Sequence, residues 1–457
     1  MSELRQREGD QVQKAENSTQ AAEKVEEKPA KTDGEEEKPV AGCIPPEDIG
    51  LPEIKEPPIP PQKDHIPFFL KGLPPRWQNW VIRGAVSFAM VIFYTVVIYM
   101  GPVGLTGLIL LIEVMCFKEI ISIGYAVYRT QNLPWFRTLS WYFLLCANYF
   151  VYGQSVKDYF GIVLRRELVA LQPFIDYYRF ISFCLYVLGF IMFVLSLQKK
   201  QYLVQFTLFG WTHIALLIVV TQSNLIVQTL FEGMIWFLVS TTCVICNDIM
   251  AYMFGFFFGR TSLIKLSPKK TWEGFIGALF STVIYGFFLA RFLAQFEFFV
   301  CPAEYDQENM VFVMSCEPSS TFQVREYTLP GFMQNGLSLI GLHWETVNLM
   351  PCQLHALIIA LFASLVSPFG GFFASGFKRA FKIKDFGDVF PGHGGIMDRF
   401  DCQFLMASFL YVYIQTFLKT ANPQKLTQQI LQLSPDEQLN IFNQLQEQLQ
   451  KRGLLQG

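Results

Sequence analysis

Between Ser375 and Asp401 the chain reads SGFKRAFKIKDFGDVFPGHGGIMDRFD, crowding cations, carboxylates and a glycine-rich turn directly behind an apolar segment long enough to cross a bilayer. Lys378, Arg379, Lys382 and Lys384 supply positive charge suited to phosphate oxygens. Asp398 and Asp401 lie three apart and share a face if a helix starts here; with Asp385 upstream they offer hard oxygen ligands of the kind Mg²⁺ takes. His393 stands in Pro-Gly-His-Gly-Gly, where glycine lets the backbone approach a ligand closely or adopt positive φ. Taken singly, each feature has a plainer reading: the basic run marks the cytosolic end of a span, and the aspartates pair with Arg399 or the upstream lysines. Together they suit chemistry at phosphorus, where catalysis rests on positioning, neutralised phosphate oxygens and a metal between nucleophile and leaving group.

A second loop carries the complementary set. Asp248 follows Asn247 at the end of an apolar run, and an ionised carboxylate there is costly unless paired or bound to a metal. Its plainer reading is an interfacial or capping residue. Lys269, Lys270 and Thr271 then place two cations and a hydroxyl just before a helix start, suited to holding a polyphosphate against backbone N–H groups. A Lys-Lys pair before a membrane helix is equally a topology signal.

The elements that must position these residues are membrane helices. The chain has 457 residues, of which 52% are hydrophobic and 16% charged, with 46 phenylalanines, and this composition predicts an all-α polytopic membrane protein. Apolar runs at 84–100, 103–117, 139–152, 176–197, 203–221, 225–246, 275–296, 354–375 and 403–418 approach the ~20 residues a crossing needs, giving about nine spans. The run 249–258 is too short to cross alone and reads as an extension of the sixth helix or a re-entrant piece. Arg76, Arg83, Arg129, Arg137, Lys199 and Lys200 put their loops in the cytosol, and with them the 259–274 and 376–402 loops, so the active site faces the cytosol. Arg165 and Arg166 fall on the opposite side of this scheme.

Outside the catalytic membrane domain, 67–420, lie three further regions. Residues 1–66 are rich in Glu, Lys, Gln and Pro and read as a disordered acidic cytosolic tail without the apolar core of a signal peptide. Residues 297–352 form a non-cytosolic loop whose Cys301, Cys316 and Cys352 allow a disulfide. In the tail 421–457, an amphipathic helix over 435–452 is signalled by Ser434 as N-cap, Pro435 at the first position, Glu437 completing a capping box and Gly453 as the stop. Net charge, −2, says nothing about partners, and Cys243 and Cys246 form a CxxC filled by Val and Ile that reads as helix packing.

The first segment resembles the signature of phosphatidate cytidylyltransferases, or CDP-diacylglycerol synthases: Ser375, Lys378-Arg379, Lys384-Asp385, Pro391-Gly-His-Gly-Gly395 and Asp398-Arg399-Phe-Asp401. The second loop is similar to that family's other block through Asn247-Asp248, Ala251-Tyr252, Gly255, Gly259 and Ser267-Pro-Lys-Lys-Thr-x-Glu-Gly274. The long apolar N-terminal half and the 297–352 loop resemble eukaryotic members resident in the endoplasmic reticulum. The resemblance implies transfer of the cytidylyl group of CTP to phosphatidic acid for phosphatidylinositol, phosphatidylglycerol and cardiolipin synthesis. It implies a Mg²⁺ requirement and allows a second, monovalent cation and a membrane homodimer. It assigns metal binding to Asp248, Asp385, Asp398 and Asp401. Phosphate binding falls to Lys378, Arg379 and Arg399, and the triphosphate to Lys269, Lys270 and Thr271. His393 with Gly394 and Gly395 shapes the pocket; Asn247, Glu273, Ser375 and Lys384 complete the substrate contacts.

Two neighbouring chemistries remain as alternatives. A CTP-dependent lipid kinase would move the γ-phosphoryl instead. A membrane transporter would explain helices and buried charges, yet its site usually lies at the midplane between repeats, and none is evident. A CDP-alcohol phosphatidyltransferase is disfavoured because its Asp-Gly-x-x-Ala-Arg start is absent. Nothing in the sequence points to nucleic acid.

Overall fold

Apolar runs bounded by Gly, Pro and charge become helices because a bilayer leaves no other way to satisfy the backbone of a single spanning segment. The computed structural model describes residues 75–454 apart from 128–134, 158–171, 307–310, 339–340, 342–343, 388, 390–393, 420–425, 428–429 and 432. Its main helices are α1 (Pro75–Tyr99), α2 (Gly101–Val127), α3 (Phe136–Ser155), α4 (Tyr178–Leu195), α5 (Tyr202–Phe231) and α6 (Met234–Phe258). They continue as α7 (Trp272–Leu293), α8 (Pro351–Leu365), α9 (Pro368–Ala380), α10 (Met397–Tyr413) and α11 (Pro435–Lys451). Among the described residues, five segments are long and apolar enough to cross a membrane: α4, α5, α6, α7 and the α8–α9 pair. The protein is therefore a helical membrane protein; the tail 1–66 and His393 lie outside the described residues.

Two boundaries differ from the hydropathy reading. The polar Gln222-Ser223-Asn224 does not end a span. Ser223 and Asn224 are buried inside the 30-residue α5, about 45 Å long. The break falls instead at Gly233, whose φ of 138° only glycine takes freely. Residues 249–258 extend α6, the first of the two expected readings. The expected span 354–375 is two helices, divided at Val366–Ser367 where Pro368 lacks the N–H that would continue the first.

Helices α6, α7 and α8 pack through small residues, as helices in lipid do when backbones must come close. A Cβ added at Gly286 of α7 would lie 3.0 Å from Cys243 Sγ and 3.1 Å from Ala360 Cβ. Cys243 and Cys246 are free thiols on α6. A second core joins Phe117 and Ile120 of α2, Phe143 of α3, Val219 and Val220 of α5 and Phe404 of α10 to Phe386 and Ile396, which anchor the two ends of the glycine-rich loop.

The strands are short and confined to connections. β1 (Ser262–Ile264) and β2 (Ser267–Thr271) form an antiparallel hairpin between α6 and α7. Between α7 and α8, β3 (Glu304–Asp306) pairs with β4 (Val311–Val313) and β5 (Arg325–Thr328) with β6 (Thr346–Leu349). Cys301 and Cys316 are joined by a disulfide in this segment, while Cys352 is a buried free thiol at the start of α8. In the C-terminal tail, the Ser434 N–H and hydroxyl both donate to the Glu437 carboxylate, closing the capping box of α11.

Candidate active site

Four elements meet at one end of the bundle: the C-terminal half of α6 with Asn247 and Asp248, strand β2 with Lys270, helix α9 with Ser375 and Lys378, and the first turn of α10 with Asp398 and Asp401. Two side-chain bonds fix α10 among them. Ser367 Oγ, in the gap between α8 and α9, donates to the Cys402 carbonyl at 2.8 Å, and Gln403 Nε2 donates to the Thr241 carbonyl of α6 at 3.1 Å. The close approach of α9 to α10 needs Gly370 and Gly371. A Cβ at Gly371 would stand 3.1 Å from Cys402 Sγ and 3.5 Å from both Asp401 Oδ2 and Lys270 Nζ. The Lys270 ammonium and the Asp401 carboxylate thus converge on the bare surface of α9, with Lys270 Nζ also 4.6 Å from the Phe372 ring centroid.

The aspartates separate into two groups. Asp398 is committed to the protein: Oδ1 takes the Lys378 ammonium at 2.6 Å, and Oδ2 accepts the Phe386 N–H at 2.8 Å and the Gly395 N–H at 3.1 Å. Asp385 lies on the same turn, since a Cβ at Gly394 would be 3.3 Å from Asp385 Cγ and from Asp398 Oδ2. Asp401 is differently placed; its Oδ1 accepts the Cys402 N–H at 2.7 Å, leaving Oδ2 beside Lys270. Asp248 lies within electrostatic reach of Lys270, Asp401 and Arg399. Among the described residues no three His, Cys, Asp or Glu side chains gather into one metal-sized cluster, so Asp248, Asp385, Asp398 and Asp401 stand as two pairs rather than one set.

Other expected contacts are held in local structure. Thr271 caps α7, accepting the Gly274 N–H at 3.2 Å. Glu273 clamps the base of the hairpin, taking the Thr261 hydroxyl at 2.7 Å and the Arg260 N–H at 3.1 Å. The Ser375 hydroxyl donates to the Gly371 carbonyl of its own helix at 2.7 Å. Arg379, Lys384 and Arg399 are exposed around the site. Asn247 is 4% exposed and its Oδ1 has no hydrogen-bond partner. The side chain of Lys269 is outside the described residues.

Two features were missed by the sequence reading. One is an apolar cavity of about 330 Å³ between α5, α9 and α10, lined by Trp211, Ile214, Ile218, Phe369, Phe373 and Phe404 and reaching Asp401 at its polar edge. The other is Glu119 of α2, 7% exposed, whose Oε1 accepts the Ile396 N–H and whose Oε2 accepts the Met397 N–H, each at 2.9 Å. The signal for Glu119 was a carboxylate at the end of the apolar run 103–117, as Asp248 stands at the end of another, though Lys118 beside it suggested an ordinary interfacial pair.

A family model described as "Cytidylyltransferase family" matches residues 81–417, which contain both loops and every element of this site. The chain belongs to the cytidylyltransferase family. This cytidylyltransferase is 59% identical over 404 residues to "Phosphatidate cytidylyltransferase 1" of Rattus norvegicus, covering 88% of the chain and 86% of the relative. It is 57% identical over 400 residues to "Phosphatidate cytidylyltransferase 2" of Bos taurus, covering 87% and 88%. With "Phosphatidate cytidylyltransferase" of Caenorhabditis elegans it shares 51% over 401 residues, covering 87% and 85%.

Proposed function

We infer that the chain transfers the cytidylyl group of CTP to phosphatidate, releasing pyrophosphate and forming CDP-diacylglycerol. The carrying observation is the convergence of Lys270 Nζ and Asp401 Oδ2 at the polar edge of an apolar cavity, in a chain matched to the family across both loops. A substrate that is anionic at one end and greasy at the other fits that junction. In the reaction an oxygen of the lipid phosphate bonds to the α-phosphorus of CTP, and the bond from that phosphorus to the bridging oxygen breaks. The electron pair leaves with pyrophosphate. Phosphatidate is already ionised near neutral pH, so the protein has to align and neutralise rather than remove a proton.

The donor chemistry fits Mg²⁺. Asp248 and Asp401 offer carboxylate oxygens, and Asn247, next to Asp248 in α6, has a buried Oδ1 without a protein partner; Mg²⁺ takes one or two carboxylates and fills its shell with phosphate oxygens and water. When bound, the ion would supply charge stabilisation at the reacting phosphate. Asp248 and Asp401 would hold it, while Asp398 and Asp385 shape the loop beside it. Lys270 is placed to hold phosphate oxygens between the two aspartates, with Arg399 and Arg379 at the open rim. Lys378 is spent on Asp398 and would orient the loop first. The aromatic wall of the cavity would take an acyl chain.

The inferred topology has nine passages: α1 to α7, α8–α9 counted as one, and α10. In that arrangement the hairpin and the glycine-rich loop face the cytosol of an endoplasmic-reticulum membrane. The Cys301–Cys316 disulfide supports an oxidising compartment for the opposite loop. The deciding experiment supplies purified protein with phosphatidate, Mg²⁺ and CTP labelled at the α-phosphate. Label in the lipid with release of pyrophosphate is expected. Label remaining wholly in soluble CDP would mean γ-phosphoryl transfer, and turnover independent of phosphatidate would remove the lipid from the reaction.

A further inference from the structure

Glu119 has no part in the chemistry above, yet both of its oxygens are held by backbone N–H groups next to it. It belongs to α2, and its two partners, Ile396 N–H and Met397 N–H, are 277 and 278 residues away at the start of α10. The two leading N–H groups of a helix have no partner within it, and the helix dipole makes this end attractive to an anion. Space for the carboxylate is made by two glycines: a Cβ at Gly387 would stand 2.6 Å from Glu119 Oε1, and one at Gly395 would stand 2.6 Å from Oε2. The Gly395 N–H is bonded on its other side to Asp398 Oδ2. Glu119 and Asp398 therefore grip the same turn from opposite sides, and Asp401 lies one helical turn further on.

We propose that Glu119 is a positioning residue for the acidic first turn of α10, setting where Asp401 stands relative to Lys270 and Asp248. This rests on the assignment of Asp401 and Asp248 to the reaction centre. Glu119 touches no reacting atom. Glutamine at this position has nearly the same shape but offers one acceptor and one amide donor. One of the two helix N–H groups then meets a donor, and the turn must shift.

The test uses full-length protein in detergent, with Glu119→Gln, Gly387→Ala and Asp401→Asn beside the wild type. Three quantities are read on folded protein: kcat, KM for phosphatidate, and Mn²⁺ affinity in the presence of a non-hydrolysable CTP analogue, followed by the paramagnetic resonance of free Mn²⁺. Partners that orient metal ligands typically change affinity or rate about 10–100-fold. Glu119→Gln is expected to lower kcat and weaken Mn²⁺ binding within that range while KM for phosphatidate stays put. Gly387→Ala, which displaces the carboxylate without removing its charge, is expected to show the same signature and serves if Glu119→Gln does not fold. Wild-type kcat and Mn²⁺ affinity in the folded fraction, with only a lower melting temperature, would reduce Glu119 to a fold-holding role and overturn the proposal. If Asp401→Asn itself retains activity and Mn²⁺ affinity, the assignment of the site fails, independently of how Glu119 behaves.

Discussion

Asp398 and Asp401 lie on one turn of one helix, and the structure uses them in opposite ways. Asp398 has a cation on one oxygen and two backbone N–H groups on the other, and its side chain is 8% exposed. Asp401 gives one oxygen to the neighbouring N–H and presents the other toward Lys270 at the edge of the cavity. A carboxylate whose acceptor sites are filled by its own protein holds a loop in shape. One with an oxygen to spare can hold something that arrives. Spacing of three places two side chains on the same face of a helix, but what lies opposite each decides its work.

The sharpest way to break this contrast is Asp401→Asn. Loss of the spare carboxylate is expected to lower kcat about 10³-fold, the rate equivalent of several kcal/mol of charge stabilisation, with an unchanged melting temperature. A melting loss in place of the rate loss would put Asp401 in the same class as Asp398. The reverse profile is expected for Asp398→Asn. Removing one member of a mostly buried pair should destabilise by about 3 kcal/mol, seen as a lower melting temperature in detergent, with a secondary loss of activity. Adding Lys378→Met to that variant is expected to recover part of the stability, because the stranded ammonium goes with it; strictly additive losses would show that the pair is not coupled. The smallest effect is expected far from both residues. Replacing Cys301 and Cys316 by serine should change kcat less than about twofold, while releasing a loop constraint worth roughly 3 kcal/mol makes that segment more susceptible to protease. A large loss of kcat there would mean that the two ends of the bundle are linked.

Much of this was legible in the residues. Both loops could be named from residue types and spacing, as could Lys270, Asp248 and Asp401, which the structure brings together, because an ionised carboxylate at the end of an apolar helix is costly unless it is paired or bound. Helix ends were less legible wherever polarity and backbone disagree. Ser223 and Asn224 look like a boundary but are buried in α5, and the true break follows Gly233. The division of labour between Asp385, Asp398 and Asp401 was not legible at all. It depends on Phe386 and Gly395 presenting their N–H groups to one oxygen, an arrangement of backbone direction that no side-chain pattern encodes. Glu119 was within reach of the reasoning applied to Asp248, but its purpose was not, since its partners come from the far end of the sequence.

That separation also orders the making of the protein. A ribosome delivers Glu119 to the membrane long before Ile396 and Met397 exist, so the carboxylate enters the bundle without the N–H groups that will receive it. Until α10 is inserted, α2 carries near its C-terminal end a carboxylate without the two N–H groups that receive it. Assembly and competence therefore coincide: the contact that closes the bundle is the one that sets the acidic turn. A chain truncated before α10 would be an unfinished membrane protein, not a weak enzyme.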